Sequence, residues 1–173
     1  MTFFPEKFET EHFKFVSYTF LSEIQSWELW QARNDWEIRK WMVNKAPISW
    51  EEHLSFMGRL ATLSDRIYYA VFSANGDLVG SQCLNPLNGN TEGESGLYIL
   101  PQHQGKGLGK LMKGEFIDFL FSNNLLHSVT EKVRHENTRN NQLNLSMGFE
   151  LVGKDDEYCY YQLYKKNTSN NNK

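Results

Sequence analysis

A glycine-rich turn at residues 104–110 is the segment whose residue types point most clearly to chemistry. It lies between a predicted strand over 94–100 and a predicted helix over 107–123. Three of its positions lack a side chain and let the backbone approach a ligand closely: Gly105, Gly107 and Gly109. The first turn of a helix adds unpaired N–H groups and a partial positive charge. We therefore predict a pyrophosphate site here, with Lys106 and Lys110 able to attract a further phosphate.

Two other interpretations of this turn stay open from the residues alone. A dinucleotide-binding fingerprint has similar glycines, but it follows the first strand of a βαβ unit. This turn instead follows the fourth predicted strand, after an antiparallel hairpin. The simpler alternative is a glycine-rich connection that binds nothing. The combination of strand, turn and amphipathic helix favours a phosphate site over both.

The elements that must position the turn predict a mixed sheet with helices on its faces. Alternation and short apolar runs bounded by turn residues predict seven strands: 12–21, 66–73, 78–84, 94–100, 128–134, 149–152 and 157–164. Apolar residues at helical spacing predict helices at 23–34, 36–42, 49–61, 107–123 and 138–147. A Gly/Asn-rich stretch over 85–93 is predicted to be a loop.

Composition limits the class of protein before any motif is considered. The 173 residues suit one domain, expected over 1–166, and a polar tail over 167–173 is expected to be disordered. A net charge of −3 argues against a nucleic-acid surface. No apolar run is long enough to span a membrane, so we expect a cytoplasmic protein. Cys83 and Cys159 have no metal or redox spacing and are expected to be reduced core thiols.

A family resemblance rests on residues 97–109. Leu97-Tyr98-Ile99-Leu100-Pro101, leading into Gln104-x-x-Gly107-x-Gly109, resembles motif A of the GNAT N-acetyltransferase superfamily, and the resemblance runs over most of the chain. Gly148-Phe149 is similar to the glycine-aromatic pair that opens the family's penultimate strand. The resemblance implies an α/β (α+β) fold with six to seven mostly antiparallel strands, about four helices, and a V-shaped splay between strands 4 and 5. It implies acetyl-CoA as co-substrate and no metal.

The resemblance also assigns cofactor contacts. The backbone of Leu97 and Ile99, in the segment that includes Tyr98, would pair with the pantetheine amides. The pyrophosphate would be held by backbone amides of the turn: Gln104, Gly105, Lys106, Gly107, Leu108, Gly109 and Lys110. Asn137 matches an asparagine that helps to fix the coenzyme A arm in the family.

Acetyl transfer to an amine needs a base for the amine and a proton for the departing thiolate. Glu94, at the start of the fourth predicted strand, resembles the carboxylate that many family members use as the base, and an ordinary strand-end glutamate is the alternative. Glu92 is the second candidate. The family's usual acid is a tyrosine four residues before the glycine of the Gly-Phe pair, and Asn144 stands there. An amide can hydrogen-bond the sulfur but cannot donate a proton as a phenol does. Either water, Ser146 or another tyrosine supplies the proton, or the enzyme is slow.

The first 60 residues carry the expectation for the acceptor. Three segments, Ala32-Arg33-Asn34-Asp35, Arg39-Lys40-Trp41-Met42 and Ile48-Ser49-x-x-x-His53-Leu54-x-Phe56, resemble one branch of the family. That branch contains the N-acetyltransferases of pseudaminic acid biosynthesis, which acetylate the 4-amino group of a UDP-linked 4-amino-4,6-dideoxy-N-acetyl-altrosamine. In that reading Arg33 or Arg39 pairs with a diphosphate. Four further side chains are assigned to the acceptor pocket: Trp41, Met42, His53 and Phe56. The alternative is that these residues pack in the core or lie in solvent.

Other functions stay open from the sequence. One is an N-acetyltransferase for a protein N-terminus or a polyamine. Another is a non-catalytic acetyl-CoA-binding sensor, an alternative raised by the residue at position 144. We expect a small-molecule amine as partner, with neither nucleic acid nor membrane. Aromatic residues of the last strand, Tyr158, Tyr160 and Tyr161, are expected to be exposed and would permit a homodimer.

Overall fold

A computed structural model describes residues 4–88 and 91–166, which are organised around one eight-stranded sheet. In chain order the strands are β1 (Lys7–Glu9), β2 (Phe13–Ser17), β3 (Ile67–Ser73), β4 (Leu78–Asn88), β5 (Glu92–Ile99), β6 (Ser128–Arg134), β7 (Glu150–Lys154) and β8 (Tyr158–Tyr164). Their order in space is β1-β2-β3-β4-β5-β6-β8-β7. Neighbouring strands are antiparallel except β5 and β6, which are parallel. The mostly antiparallel α/β architecture confirms the predicted fold class.

Five α-helices connect these strands: α1 (Glu23–Asn34), α2 (Trp36–Arg39), α3 (Trp50–Leu60), α4 (Leu108–Ser122) and α5 (Thr138–Ser146). Two of them begin with a capping box, in which a serine and the residue three positions later satisfy each other's backbone N–H. Ser22 caps α1 in this way and Ser49 caps α3. No helix of the described chain has both the length and the apolarity needed to cross a bilayer.

Helices cover both faces of the sheet because alternate strand residues point in opposite directions. In β3, Tyr69 and Val71 pack into a cluster that includes Met112 and Phe116 of α4. Their neighbours in β3 join a second cluster with Leu29 of α1 and other residues of α1–α3. Tyr98 of β5 packs against this second cluster. Strands β3–β5 are therefore covered by α4 on one side and by α1–α3 on the other.

The structure differs from the predicted elements at four places. The predicted loop over 85–93 is an extension of β4 to Asn88 and an early start of β5 at Glu92. The predicted strand over 12–21 ends at Ser17 and continues as a 3-10 turn. The predicted helix over 36–42 is α-helical for four residues only, and β1 was not predicted, which brings the count to eight strands. The expected disordered tail, 167–173, lies outside the described residues.

Candidate functional site

An open edge of strand β5 is the first element of the site. The parallel pairing of β5 with β6 runs from Glu92↔Ser128 to Glu94↔Thr130. Beyond Glu94, β5 continues to Ile99 without a partner on that side, so the two strands diverge in the V that was expected. Leu97, Tyr98 and Ile99 lie in the diverging part. An unpaired strand edge offers backbone N–H and C=O groups to an extended ligand.

The glycine turn lies directly after this edge and has the geometry of an anion cradle. Gly105 and Gly107 have φ of 76° and 78°, a left-handed conformation that other residues rarely adopt. A Cβ placed on either glycine would meet no protein atom within 4 Å, so the space beside the turn is open. Within residues 4–88 and 91–166, the amides of Gly105, Lys106 and Gly107 donate to no backbone carbonyl. Gly107 is also the N-cap of α4, so these amides add to the positive end of that helix.

The other residues assigned to the cofactor fix the shape of the cleft. The Gln104 side chain donates to the carbonyl oxygen of Ile99 at 2.9 Å and ties the turn to the end of β5. Lys106 donates to the carbonyl oxygen of Gln102 at 3.0 Å, while Lys110 is exposed. Leu108 and Gly109 form the first turn of α4. Asn137 lies beyond the end of β6 and caps α5 by accepting from the Asn140 amide at 3.2 Å.

Glu94 lies at the point of the V, in the last residue pair between β5 and β6. It is half-buried, and burial raises the pKa of its carboxyl group, an effect that nearby Lys132 opposes and Glu131 reinforces. Alternation along β5 puts Glu94 and Tyr98 on the same face, toward α1–α3. Glu92 is on this face too, but it accepts hydrogen bonds from Gln162 at 2.7 Å and from Ser128 at 3.2 Å. Of these two carboxylates, Glu94 is therefore the one that is less restrained by hydrogen bonds within the protein.

Asn144 lies inside a buried polar cluster on the opposite face. Its side-chain oxygen accepts a 2.6 Å hydrogen bond from Lys113 of α4, which is fully buried. Lys113 also forms a 2.8 Å ion pair with Glu131 of β6 and donates to Asn140 at 3.3 Å. The Asn144 amide nitrogen has no hydrogen-bond partner in the described part of the chain, and no part of the side chain is exposed. The arrangement gives Asn144 a structural partner, whereas its predicted contact with the thiolate stays a prediction.

The two arginines predicted to bind a diphosphate are engaged with backbone. Arg33 donates to the carbonyl oxygen of Asn44 at 3.0 Å, and burial lowers the pKa of its guanidinium. Arg39 donates to the carbonyl oxygens of Lys45 at 2.6 Å and Asn34 at 3.2 Å. Both side chains therefore hold the segment between α2 and α3 in place. One buried nitrogen of Arg33, Nη1, has no partner among the described residues.

The remaining residues assigned to the acceptor pocket separate into core and surface positions. His53 is 3% exposed and stacks on Trp50 with ring centroids 5.4 Å apart, and burial lowers the pKa of its imidazole. Met42 and Phe56 pack against the cluster beneath α1–α3. Trp41 is 41% exposed. Their assignment to substrate binding stays a prediction.

The last strands contain a group that sequence reasoning missed. Lys132 of β6 lies over the rings of Tyr158 and Tyr160, 4.1 Å and 5.7 Å from their centroids. The register pairs Lys132 with Tyr160. The alternation of residues along β6 and β8 could have predicted that these side chains share one face of the sheet. Tyr161 points to the other face and is 3% exposed, so the expectation that it is exposed was wrong.

Two further findings concern residues on α4 and the cysteines. Lys113 lies on the apolar stripe of α4, three and four residues before Phe116 and Ile117. A charged residue on the apolar face of a helix was the sequence signal that it would be buried in an ion pair. Both cysteines are free thiols, and Cys159 is buried as expected. Cys83 is half-buried, and this burial raises the pKa of its thiol to about 12.

Comparison with known protein families gives a match over most of the chain. A family model described as an acetyltransferase (GNAT) domain matches residues 21–150. The chain is 27% identical over 148 residues to acetyltransferase PseH of Campylobacter jejuni subsp. jejuni serotype O:23/36 (strain 81-176). That match covers 85% of this chain and 90% of the relative.

Solved structures share the fold. N-acetyltransferase PseH of Campylobacter jejuni, in complex with acetyl coenzyme A, is similar with a TM-score of 0.73 and 21% identity, covering 89% of this chain and 99% of that one. Spermidine N-acetyltransferase from Vibrio cholerae, in complex with CoA and spermine, gives a TM-score of 0.79 at 18% identity, covering 90% and 97%. At these identities the similarities establish the fold alone.

Proposed function

The chain belongs to the GNAT acetyltransferase domain family and is an acetyl-CoA-dependent N-acetyltransferase; we propose that its acceptor is the 4-amino group of a UDP-linked amino-dideoxy sugar. The observation that carries the proposal is the match to PseH across 85% of the chain. The resemblance of the first 60 residues to the pseudaminic acid branch points the same way. A polyamine acceptor has support from the shared fold only.

Acetyl-CoA, the co-substrate, supplies an activated thioester whose carbonyl carbon is attacked by the acceptor amine. The amides of Gly105, Lys106 and Gly107 are suited to hold its pyrophosphate, since in the described part of the chain they donate to no backbone carbonyl and the Cβ positions of both glycines face open space. The unpaired edge of β5 near Leu97 is suited to hold the amide-rich arm. This combination fits a long ligand with an anionic end.

Glu94 is proposed as the general base. The amine must lose a proton to attack, and a carboxylate at the point of the V lies where the cleft is narrowest. The raised pKa of Glu94 brings its proton affinity closer to that of the groups it must serve. The residue would accept the amine proton directly or through one water molecule and return it to solvent.

The test is an assay of thiol release from acetyl-CoA with three acceptors: the UDP-4-amino sugar, spermidine and a short peptide. We expect turnover with the sugar, strongly reduced in Glu94→Gln and retained in Glu92→Gln, a matched change on the same strand face. Turnover of spermidine or peptide in place of the sugar would overturn the acceptor. Loss of activity in Glu92→Gln alone would move the base to Glu92.

A further inference from the structure

The face of the sheet that carries Glu94 continues beyond the V into an uncovered platform of mixed charge, which carries the cations Lys132 and Arg134 and is bordered by Glu94, Asp155 and Glu157. Alternation puts Lys132 and Arg134 of β6 on that face, together with Tyr158 and Tyr160 of β8, because the register pairs them residue by residue. Lys132 is exposed, and the other three side chains are partly exposed. The core residues of β8, Cys159 and Tyr161, point to the opposite face. The platform is therefore accessible from the same side as the candidate base.

Of the two cations on the platform, Arg134 forms an ion pair and Lys132, among the described residues, forms none. Arg134 is paired with Glu157 at 3.2 Å, and the Tyr160 hydroxyl donates to Asp155. Within residues 4–88 and 91–166 the ammonium of Lys132 has no ion-pair partner, and it lies over the two tyrosine rings. The carboxylates of Glu94 and Asp155 are close enough to feel its charge, since Lys132 acts to lower the pKa of both, but neither is bound to it directly. Two aromatic faces restrict the long lysine side chain and stabilise its charge without neutralising it. An ammonium held in this way is prepared to bind an anion.

We infer that Lys132, held by Tyr158 and Tyr160, binds a phosphate group of the acceptor and selects an anionic acceptor over a polyamine. The inference rests on the proposed function to the extent that the acceptor amine is bound at Glu94. The guanidinium groups of Arg33 and Arg39, which were predicted to bind the diphosphate, donate to backbone carbonyl oxygens instead. A phosphate of the acceptor would therefore need another cation, and Lys132 supplies one.

The spacing between Glu94 and Lys132 suits a phosphorylated amino sugar. Glu94 is opposite Thr130, and Lys132 is two residues further along β6. A rise of about 6.6 Å along β6 and a gap of about 4.8 Å between the strands put the backbones of Glu94 and Lys132 about 8 Å apart, a distance that the two side chains can adjust. In a hexose with an amine at C4 and a phosphate on O1, the nitrogen and the phosphorus are roughly 6 Å apart, from bonds of about 1.5 Å. The lysine would therefore reach the phosphate nearest to the sugar. A polyamine in the same position would place a second cation against the ammonium.

Calorimetric titration of UDP and of inorganic pyrophosphate tests this inference without any turnover. Saturating CoA is present throughout, so that the glycine turn is occupied and the probes cannot bind there and contribute to the measured heat. We expect both probes to bind the wild type, and Lys132→Met to weaken both by about tenfold, the effect of losing one charge-assisted contact. Methionine keeps most of the apolar stem, and an unchanged melting temperature shows that the fold is intact.

Lys154→Met is the matched control. Lys154 is an exposed lysine of β7 next to the same platform strand, and its substitution changes the net charge equally. We expect it to bind both probes as the wild type does. Equal weakening in the two variants would reduce the effect to overall charge, and wild-type binding by Lys132→Met, or no binding by the wild type, would overturn the inference.

Kinetics with the amino sugar separate this inference from the proposed function. If the sugar is acetylated, Lys132→Met should raise its KM about tenfold with little change in kcat or in the KM of acetyl-CoA, when both proteins are compared on the plateau of their own pH-rate profiles because the loss of Lys132 also raises the pKa of Glu94. Acetylation with an unchanged sugar KM would leave the function standing and overturn the role of Lys132. No acetylation of the sugar, with UDP binding still dependent on Lys132, would overturn the acceptor and keep the anion site.

Discussion

The variant Gly107→Ala, which adds one methyl group, should have two effects that can be measured separately. It should lower the melting temperature through backbone strain and weaken the binding of acetyl-CoA to the glycine turn. In Gly107→Ala the backbone must keep φ at 78°, which costs an L-residue about 1–2 kcal/mol. The added Cβ meets no protein atom within 4 Å, so no steric clash adds to this strain. At about 2–4 °C per kcal/mol for a chain of this size, the melting temperature should fall by about 2–8 °C.

The same methyl group should weaken acetyl-CoA binding by more than the strain explains. It projects into the open space beside the turn, where the pyrophosphate would approach the amides of Gly105 and Gly107. Losing one hydrogen bond to a charged group costs about 1.5–3 kcal/mol, which raises the Kd about 10- to 100-fold. Titration calorimetry with acetyl-CoA measures this increase.

Gly76→Ala supplies the control, because Gly76 in the β3–β4 turn also has a positive φ, 90°, and open space at its Cβ position. We expect a similar loss of melting temperature and a wild-type Kd for acetyl-CoA. If Gly107→Ala binds acetyl-CoA as tightly as Gly76→Ala does, the turn does not hold the pyrophosphate and the reasoning is refuted.

Three further predictions concern ionisable groups. Glu94→Gln should lower kcat about 100- to 10,000-fold at neutral pH with little change in the Kd of acetyl-CoA, and retained kcat would exclude Glu94 as the base. Since the pKa of Glu94 is raised, wild-type kcat/KM should fall with decreasing pH at values above the ordinary 4.5 of a glutamate; a pH-rate profile with its acidic limb below that value would contradict this. Lys113→Met should cost about 3–5 kcal/mol in denaturant unfolding, because it leaves the carboxylate of Glu131 buried and unpaired; Lys113→Met with Glu131→Leu should restore much of the loss, and equal losses in single and double variants would argue against a coupled pair.

The turn and its flanking elements could be predicted because their information is local. Glycines at fixed positions, a strand ended by Pro101 and a long amphipathic α4 all lie within 30 residues. The extension of β4 through Pro86 could not, because pairing with β5 overrides the loop-forming residues there, and the register shifts between Leu84 and Leu87 accommodate the irregularity. β1 is three residues long, too short for a periodic signal.

The roles of individual side chains were harder to predict because burial and partners are tertiary properties. His53 has the sequence context of a pocket residue, yet it is packed against Trp50. Arg33 and Arg39 are spaced as a cationic pair, but they donate to the carbonyl oxygens of Asn44 and Lys45, which lie 11 and 6 residues further along the chain. Glu94 was expected at the start of its strand, but β5 begins at Glu92, and the place of Glu94 at the end of the β5–β6 pairing is likewise a tertiary property.

The residue at position 144 illustrates why one departure from a family pattern should be interpreted together with its neighbours. A tyrosine there would have to fit beside the ammonium of Lys113, which needs an acceptor in a fully buried site. Asn144 supplies that acceptor, and Glu131 neutralises the charge. Lysine at 113 and asparagine at 144 are therefore complementary, and a tyrosine at 144 would have to place a larger ring in this fully buried site while still offering an acceptor to the ammonium. We expect the departing thiolate to obtain its proton from a group outside this cluster, because amides cannot supply one at neutral pH and the Lys113 ammonium already donates to Glu131, Asn140 and Asn144.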